Sequence, residues 1–297
     1  MAEAKPGEPD GPGGGSPTGY TPRLGPFSAT MMVVGGIIGS GIFLNPAIVA
    51  ERVRSADLVL IVWVMGGVIA VIGALVFAEL GARRPLAGGG YVYLRDAYGP
   101  LPAFLYGWTL LLVIATGAIA AVAVTFASYT VALFDLDQRA RVPLAVAAIL
   151  LLSAINYIGV KPGALTQNVF TLLKLGALCT LIVAGLTSTP LPAIEHLPAG
   201  RLEHVTLAIG AALVPVLFAY GGWQQTNFIA EELLQPERTL ARALLVGVGI
   251  VVAVYLLANL TYLNVLGVAG LANTTSPAAD TMARLWGSAG HGLIAAG

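Results

Sequence analysis

Seven stretches of about 20 apolar residues, each long enough to cross the ~30 Å hydrocarbon core of a bilayer, constrain this chain more than anything else in it. They lie near residues 26–50, 57–79, 101–134, 143–158, 165–190, 205–233 and 241–268. Inside hydrocarbon every main-chain N–H and C=O must find its partner within the protein, and a run of this length does so as a helix. Charge agrees: only 10% of residues are charged and mean hydropathy is +0.84, against about 25% charge in a soluble domain. The reading is an all-α polytopic membrane protein. A formal net charge of zero leaves no broad basic surface for nucleic acid. The single cysteine, Cys179, rules out an internal disulfide framework and a cysteine metal site, and its apolar span predicts a core position.

Residues 1–25 are rich in glycine, proline and polar residues and lack an apolar signal core, so they read as a disordered cytoplasmic tail before a transmembrane domain at 26–297. The closing run Gly292-Leu293-Ile294-Ala295-Ala296-Gly297 reads as the opening of an eighth span, and the sequence as a fragment of a longer protein. The third stretch is long for one crossing and is expected to tilt or to extend beyond the lipid. With the tail inside, the cytoplasmic side holds eight Lys and Arg residues (Lys5, Arg23, Arg83, Arg84, Arg95, Lys161, Arg238, Arg242), against six outside (Arg52, Arg54, Arg139, Arg141, Arg201, Arg284). This bias favours a cytoplasmic N-terminus without deciding it.

The first span contains Gly35-Gly36-Ile37-Ile38-Gly39-Ser40-Gly41, in which four of seven residues are glycine. Each glycine costs a helix roughly 1 kcal/mol relative to alanine, about 3–4 kcal/mol together. That is enough to open the helix in its middle, provided the freed groups face protein, water or a ligand. The same residues have small-xxx-small spacing (Gly35/Gly39, Gly36/Ser40), which also serves a tight helix contact. This stretch alone does not separate the two readings. The sixth span does, because Pro215 and then Gly221-Gly222-Trp223-Gln224-Gln225-Thr226-Asn227 bring a second interruption and a run of amides to membrane depth. Unpaired, those side chains would each cost on the order of a few kcal/mol in hydrocarbon, so they face a polar interior.

Interrupted spans at corresponding places in two halves point to a secondary transporter with its site at the midplane. A half-helix that begins after a break presents free N–H groups suited to a carboxylate. One that ends at a break presents carbonyls suited to an ammonium, so two facing breaks fit an α-amino acid.

GGIIGSGIF (Gly35–Phe43), FAYGGW (Phe218–Trp223), Ala230-Glu231-Glu232-Leu233 and Gln235-Pro236-Glu237-Arg238 resemble the amino acid–polyamine–organocation superfamily, in its L-type amino acid transporter-like branch including bacterial members. The resemblance covers residues 24–297. It implies a partial LeuT-type inverted-repeat fold with discontinuous helices 1 and 6, and sodium-independent transport of neutral L-amino acids by exchange or proton-linked permeation. It implies that the amides of Ser40 and Gly41 receive the substrate carboxylate. The carbonyls of Ile37, Phe218, Ala219 and Gly221 then receive its amino group. Phe218 would close over the site, and Gln224 and Gln225 would shape the side-chain pocket. Asparagine stands at the first of these in some relatives, so Gln224 leaves substrate preference open.

Lys174 lies about nine residues into the fifth span, roughly 13 Å deep. A charged residue there is a functional hypothesis by default, with snorkelling to the cytoplasmic face as the alternative. The resemblance makes it a coupling residue that stands in for sodium and links span 5 to the opened part of span 1; proton coupling stays open.

Glu79, Glu231 and Glu232 lie near cytoplasmic span ends, either as solvated helix termini or in a closing ion-pair network with Arg83, Arg84 or Arg95. The glycine-rich connection at 80–100 lacks the strand and the Lys-Ser/Thr of a phosphate cradle and reads as a loop packed under the bundle. The histidines (His196, His204, His291) fall in or near outer loops, and no metal, other cofactor or catalytic triad is implied. The outer loop Asp135–Arg141 has no cysteine, so no covalently linked heavy subunit is expected. The partners are therefore an amino acid, the lipid bilayer and, left open, protons. A non-translocating amino-acid sensor and a carrier of another small amine are the alternatives; a channel would want charged rings or a symmetric carbonyl filter.

Overall fold

The computed structural model describes residues 22–187 and 205–287, and among them the chain is helical apart from turns and one isolated parallel bridge. The first crossing is a pair of helices, α1 (Pro26–Ile37) and α2 (Gly41–Val53), bent by 40°. The second is α3 (Ala56–Arg83), followed by the short α4 (Gly90–Tyr98). The third crossing joins α5 (Pro100–Thr109) to α6 (Thr116–Leu133) through a π-helical stretch, Leu110–Ala115. Next come α7 (Arg141–Ile158) and α8 (Val160–Thr187). The sixth crossing is α9 (Val205–Tyr220) plus a 3-10 segment, Trp223–Glu232. The seventh is α10 (Pro236–Ala272), kinked at Gly267, with α11 (Pro277–Trp286) folded back after it. Among the described residues six helices are long and apolar enough to cross a membrane, seven with the bent pair.

The core is built around the two interrupted crossings. α1 packs on α8 and α10, α2 on α9 and α10, and α3 closes the far side against α9 and α10. Within it Trp63, Tyr220 and Tyr255, each no more than 1% exposed, pack with ring centroids 5.1–5.7 Å apart, Trp63 meeting both tyrosines edge to face. α6 and α7 form a second pair, joined to the core through α7 and α8 and exposing long rows of Leu, Ile and Val. Such rows face an apolar medium at no cost, which is what a membrane domain permits.

All seven expected spans are helices, and the helices mostly run past the apolar limits. α8 begins at Val160 rather than 165, and α10 covers Pro236–Ala272 rather than 241–268. Hydropathy marks the part of a helix immersed in lipid, whereas the hydrogen-bond ladder continues into the polar ends. α11 had no expectation attached to it, although Ala278, Thr281 and Met282 recur at helical spacing and are buried.

Two expectations change. Cys179 is exposed on α8, not in the core, because its neighbours Ala177, Leu178 and Leu181 take the inward face. The tail does not run disordered to residue 25. Leu24 is 3% exposed, Arg23 and Leu24 donate their N–H groups to the Glu232 carbonyl at 2.8 and 3.0 Å, and Leu24 returns its carbonyl to the Leu234 N–H at 2.8 Å. Most of the tail, the histidines and the run at 292–297 lie outside the described residues.

Glycines let these helices touch, and one pair of substitutions separates that role from backbone propensity. A Cβ on Gly66 of α3 would collide with Val216 and lie 3.1 Å from the Tyr220 ring, whereas one on Gly176 of α8 meets nothing within 4 Å. Gly66→Val is expected to destabilise the protein by about 1–3 kcal/mol and Gly176→Val by less than about 0.5, read as thermal unfolding in detergent.

Candidate functional site

At the first break the main chain leaves the helix at Ile38, which is extended (φ −70°, ψ 99°) though its N–H still reaches the Val34 carbonyl at 2.8 Å. The helix restarts at Gly41, with the Ser40 carbonyl accepting from Phe43 and Leu44, both at 3.1 Å. Gly39 and Ser40 are exposed, while Ile37, Ile38 and Gly41 are buried. Gly35 and Gly36 stay inside α1, so the stretch serves both of its readings. Gly35 lies so close to Thr171 and Gln167 of α8 that no side chain would fit, and the opening comes three residues later.

At the second break α9 ends at Tyr220, and Gly222 turns the chain through φ +116°, a conformation that side chains strain against. The Gln224 side-chain oxygen accepts the Gly222 N–H at 3.1 Å, and the Gln225 N–H bonds the Gly222 carbonyl at 3.1 Å. Gln224 is thus folded back on the turn, whereas Gln225 is exposed. Phe218 is 76% exposed, one turn before the break. Its carbonyl accepts the Gly221 N–H at 3.2 Å, and Ala219 is buried.

The two breaks are in main-chain contact. A Cβ on Gly222 would collide with the Gly36 carbonyl, and one on Gly41 would lie 2.8 Å from Ala219. Asn45 of α2 donates to the Pro215 carbonyl of α9 at 2.7 Å.

Two side chains from elsewhere stitch this contact. Lys174 of α8 donates from Nζ to the Ile38 carbonyl at 3.0 Å, and is therefore turned to the break rather than snorkelling outward. The Tyr255 hydroxyl of α10 lies 3.1 Å from the Ile37 carbonyl and 3.2 Å from the Ala219 carbonyl, and it accepts the Gly39 N–H. One hydroxyl therefore meets main-chain groups of both breaks. Tyr262, two turns on, reaches the Ile42 carbonyl at 3.4 Å. Neither tyrosine was a sequence candidate. The available signal was their seven-residue spacing on one face of an apolar span, since a buried tyrosine hydroxyl usually has a partner.

The amino acid permease family profile matches residues 24–297. The chain belongs to that family. It is 38% identical over 256 residues to the human (Homo sapiens) b(0,+)-type amino acid transporter 1, covering 84% of this chain and 52% of that protein. It is 36% identical over 268 residues to the human large neutral amino acids transporter small subunit 2, covering 86% and 49%. The chain thus spans about half the length of these curated relatives. Family and helices together make it a multi-pass membrane protein with a helical fold of the amino acid–polyamine–organocation superfamily.

The 85–89 loop packs against the 3-10 segment. The Ala87 N–H bonds the Glu231 carboxylate at 3.1 Å and the Gly88 N–H the Phe228 carbonyl at 3.3 Å. Asn227 donates to the Phe77 carbonyl at 3.1 Å and to the Tyr93 hydroxyl at 2.8 Å. One pair of the expected network is present, and the other two arginines turn elsewhere. Arg83 pairs with Glu79 one turn away at 2.6 Å, while Arg84 and Arg95 turn to Asp96 at 3.3 and 3.9 Å. These side chains are 36–75% exposed, so each pair adds well under about 1 kcal/mol.

Tyr255→Phe removes the shared hydroxyl and strands buried main-chain groups. It is expected to cost about 1–3 kcal/mol of stability by thermal unfolding. Tyr262→Phe, whose bond is long at 3.4 Å, should cost clearly less.

Proposed function

We propose that the permease carries neutral L-amino acids across the plasma membrane by alternating access, without sodium, as an exchanger or a proton-linked carrier, with its N-terminus in the cytoplasm. The main-chain contact between the two breaks carries this reading, because it sets the start of α2 beside the end of α9. The amides of Ser40 and Gly41 begin α2 and take the substrate carboxylate at a helix N-terminus. The carbonyls of Ile37, Phe218, Ala219 and Gly221 take its ammonium. Those of Ile37 and Ala219 already meet Tyr255, and each retains a second lone pair for the substrate. Phe218 closes over the occupied site. Gln225 shapes the side-chain pocket directly, and Gln224 does so through the turn that it caps.

Lys174 supplies a fixed cation at the Ile38 carbonyl, where a sodium-coupled carrier would recruit an ion. The names of the relatives, one a b(0,+)-type amino acid transporter and the other a large neutral amino acids transporter subunit, support the substrate class. Their similarity also supports transport over chemistry or sensing.

The test is uptake of labelled neutral amino acids into proteoliposomes holding the full-length protein. Uptake is expected to persist when sodium is replaced by choline, and to fall at least about tenfold in Lys174→Met, a loss of about 1.4 kcal/mol or more at the rate-limiting step. Sodium-dependent uptake, or full activity in Lys174→Met, would overturn the coupling role. Binding without uptake in the parent protein would favour the sensor.

A further inference from the structure

We propose that Arg52 and the adjoining face of α9 form a second binding site, on the side of the breaks away from the N-terminus, which takes the carboxylate of an α-amino acid on its way to them. Only the identity of that cargo rests on the transport reading. Gly41 lies against Ala219 and Asn45 bonds the Pro215 carbonyl, so α2 and α9 run antiparallel in a register that sets Arg52 opposite Ala208. The Arg52 guanidinium nevertheless donates from Nη1 to the Ala211 carbonyl, three residues nearer the break. That oxygen is free to accept because Pro215, four residues on, has no N–H. Arg52 thus stands at the end of α2 but leans back along the crossing instead of snorkelling out to water.

Its charge is unmatched. A guanidinium has five N–H donors, and among the described residues Arg52 spends one of them, on a neutral oxygen. It pairs with no carboxylate there, Glu51 beside it included. A cation turned into a crossing needs a counter-charge, and its planar fork fits a carboxylate. Next to it lies a cavity of about 590 Å³, lined by Arg52, Leu207, Ala208, Ala211 and Val214. That volume is in the range of small-molecule sites. Leu207, Ala211, Val214 and Phe218 follow one another at steps of four, three and four residues, which puts them on one face of α9. On this face Leu207, Val214 and Phe218 are 71%, 67% and 76% exposed. The stripe that lines the cavity therefore runs down to the aromatic ring at the second break. An amino acid with its carboxylate on Arg52 lays an apolar side chain on Leu207 and Val214, and the next contact along the same face is Phe218. No acidic side chain lines the cavity to hold the ammonium. The outer site therefore reads a carboxylate and an apolar chain, whereas the breaks read both ends of the zwitterion.

Leu207→Cys, in full-length protein whose other cysteines are replaced by serine, puts a reporter thiol in the cavity. Its labelling by a membrane-impermeant maleimide is timed from the side of sealed vesicles away from the N-terminus. Saturating L-leucine is expected to slow labelling about fivefold or more. So is 4-methylpentanoate, which is leucine without its amino group, whereas leucinamide, which lacks the carboxylate, is expected to leave the rate unchanged. Arg52→Met is expected to abolish the protection. Because that change bares the Ala211 carbonyl, it is also made together with Pro215→Ala, which returns an in-helix N–H to the same oxygen; the protection should be lost there too. Protection by leucine but not by 4-methylpentanoate would report closure over the breaks and overturn the outer site. Protection that survives the loss of Arg52 in the doubly substituted protein would overturn it as well. Labelling that slows when phosphatidylglycerol is added to phosphatidylcholine vesicles, and ignores leucine, would give Arg52 to a lipid phosphate instead. Protection without uptake would retire the transport reading and leave the outer site standing, and uptake without protection would do the reverse.

Discussion

Bare main-chain polarity in an apolar interior is the constraint on which the rest of this structure turns. Opening two helices at membrane depth frees N–H and C=O groups that hydrocarbon cannot satisfy, and the fold assigns them partners one by one. Tyr255 meets Ile37, Gly39 and Ala219; Lys174 takes Ile38; Gln224 takes Gly222. These three side chains come from α10, α8 and the turn itself, so the breaks hold their shape only when the surrounding helices are in place. Gly39 and Ser40 at the first break are exposed, and so is Phe218 one turn before the second.

Close approach and chain opening place opposite demands on the same glycines, and the structure meets both by dividing them. Gly35 and Gly36 stay helical and let α1 lie against α8 and the second break, while the chain opens at Ile38–Ser40. At the second crossing Gly222 does both jobs, turning the chain at φ +116° and leaving room for the Gly36 carbonyl. A stretch can therefore be glycine-rich for packing and still be the place where a helix ends.

The spans and both interruptions were legible in the sequence because each rests on a local property: length of apolar run, helix propensity, backbone polarity at depth. Lys174 was legible for the same reason, since an ammonium inside a span must find an oxygen. Tyr255 was not, because its meaning lies in a contact 218 residues away with Ile37 and nothing in its neighbourhood marks it. The pairing of Leu24 with Leu233 was hidden likewise, since it joins the residues before the first crossing to the far end of the sixth. Cys179 shows the converse failure. Apolar surroundings in sequence predict burial in a soluble domain, but in a membrane domain the outward face of a helix is equally apolar.

The two halves of the first crossing are held by contacts of different kinds. α2 meets α9 through packing in which a single methyl at Gly41 has no room, reinforced by Asn45 on the Pro215 carbonyl. α1 meets α8 through the ends of polar side chains: Asn168 on Ser28, Thr171 on the Met31 carbonyl, Lys174 on the Ile38 carbonyl. Interdigitated packing resists sliding over a fraction of an ångström, because each gap forfeits dispersion contacts that nothing replaces. Polar ends exchange one partner for water at far smaller net cost. α1 has close packing of its own beside these bonds, since a Cβ on Gly247 of α10 would collide with Val33 and one on Gly35 with Thr171 of α8, so both halves are seated by packing and what distinguishes the inner one is the set of polar ends that α8 adds to it.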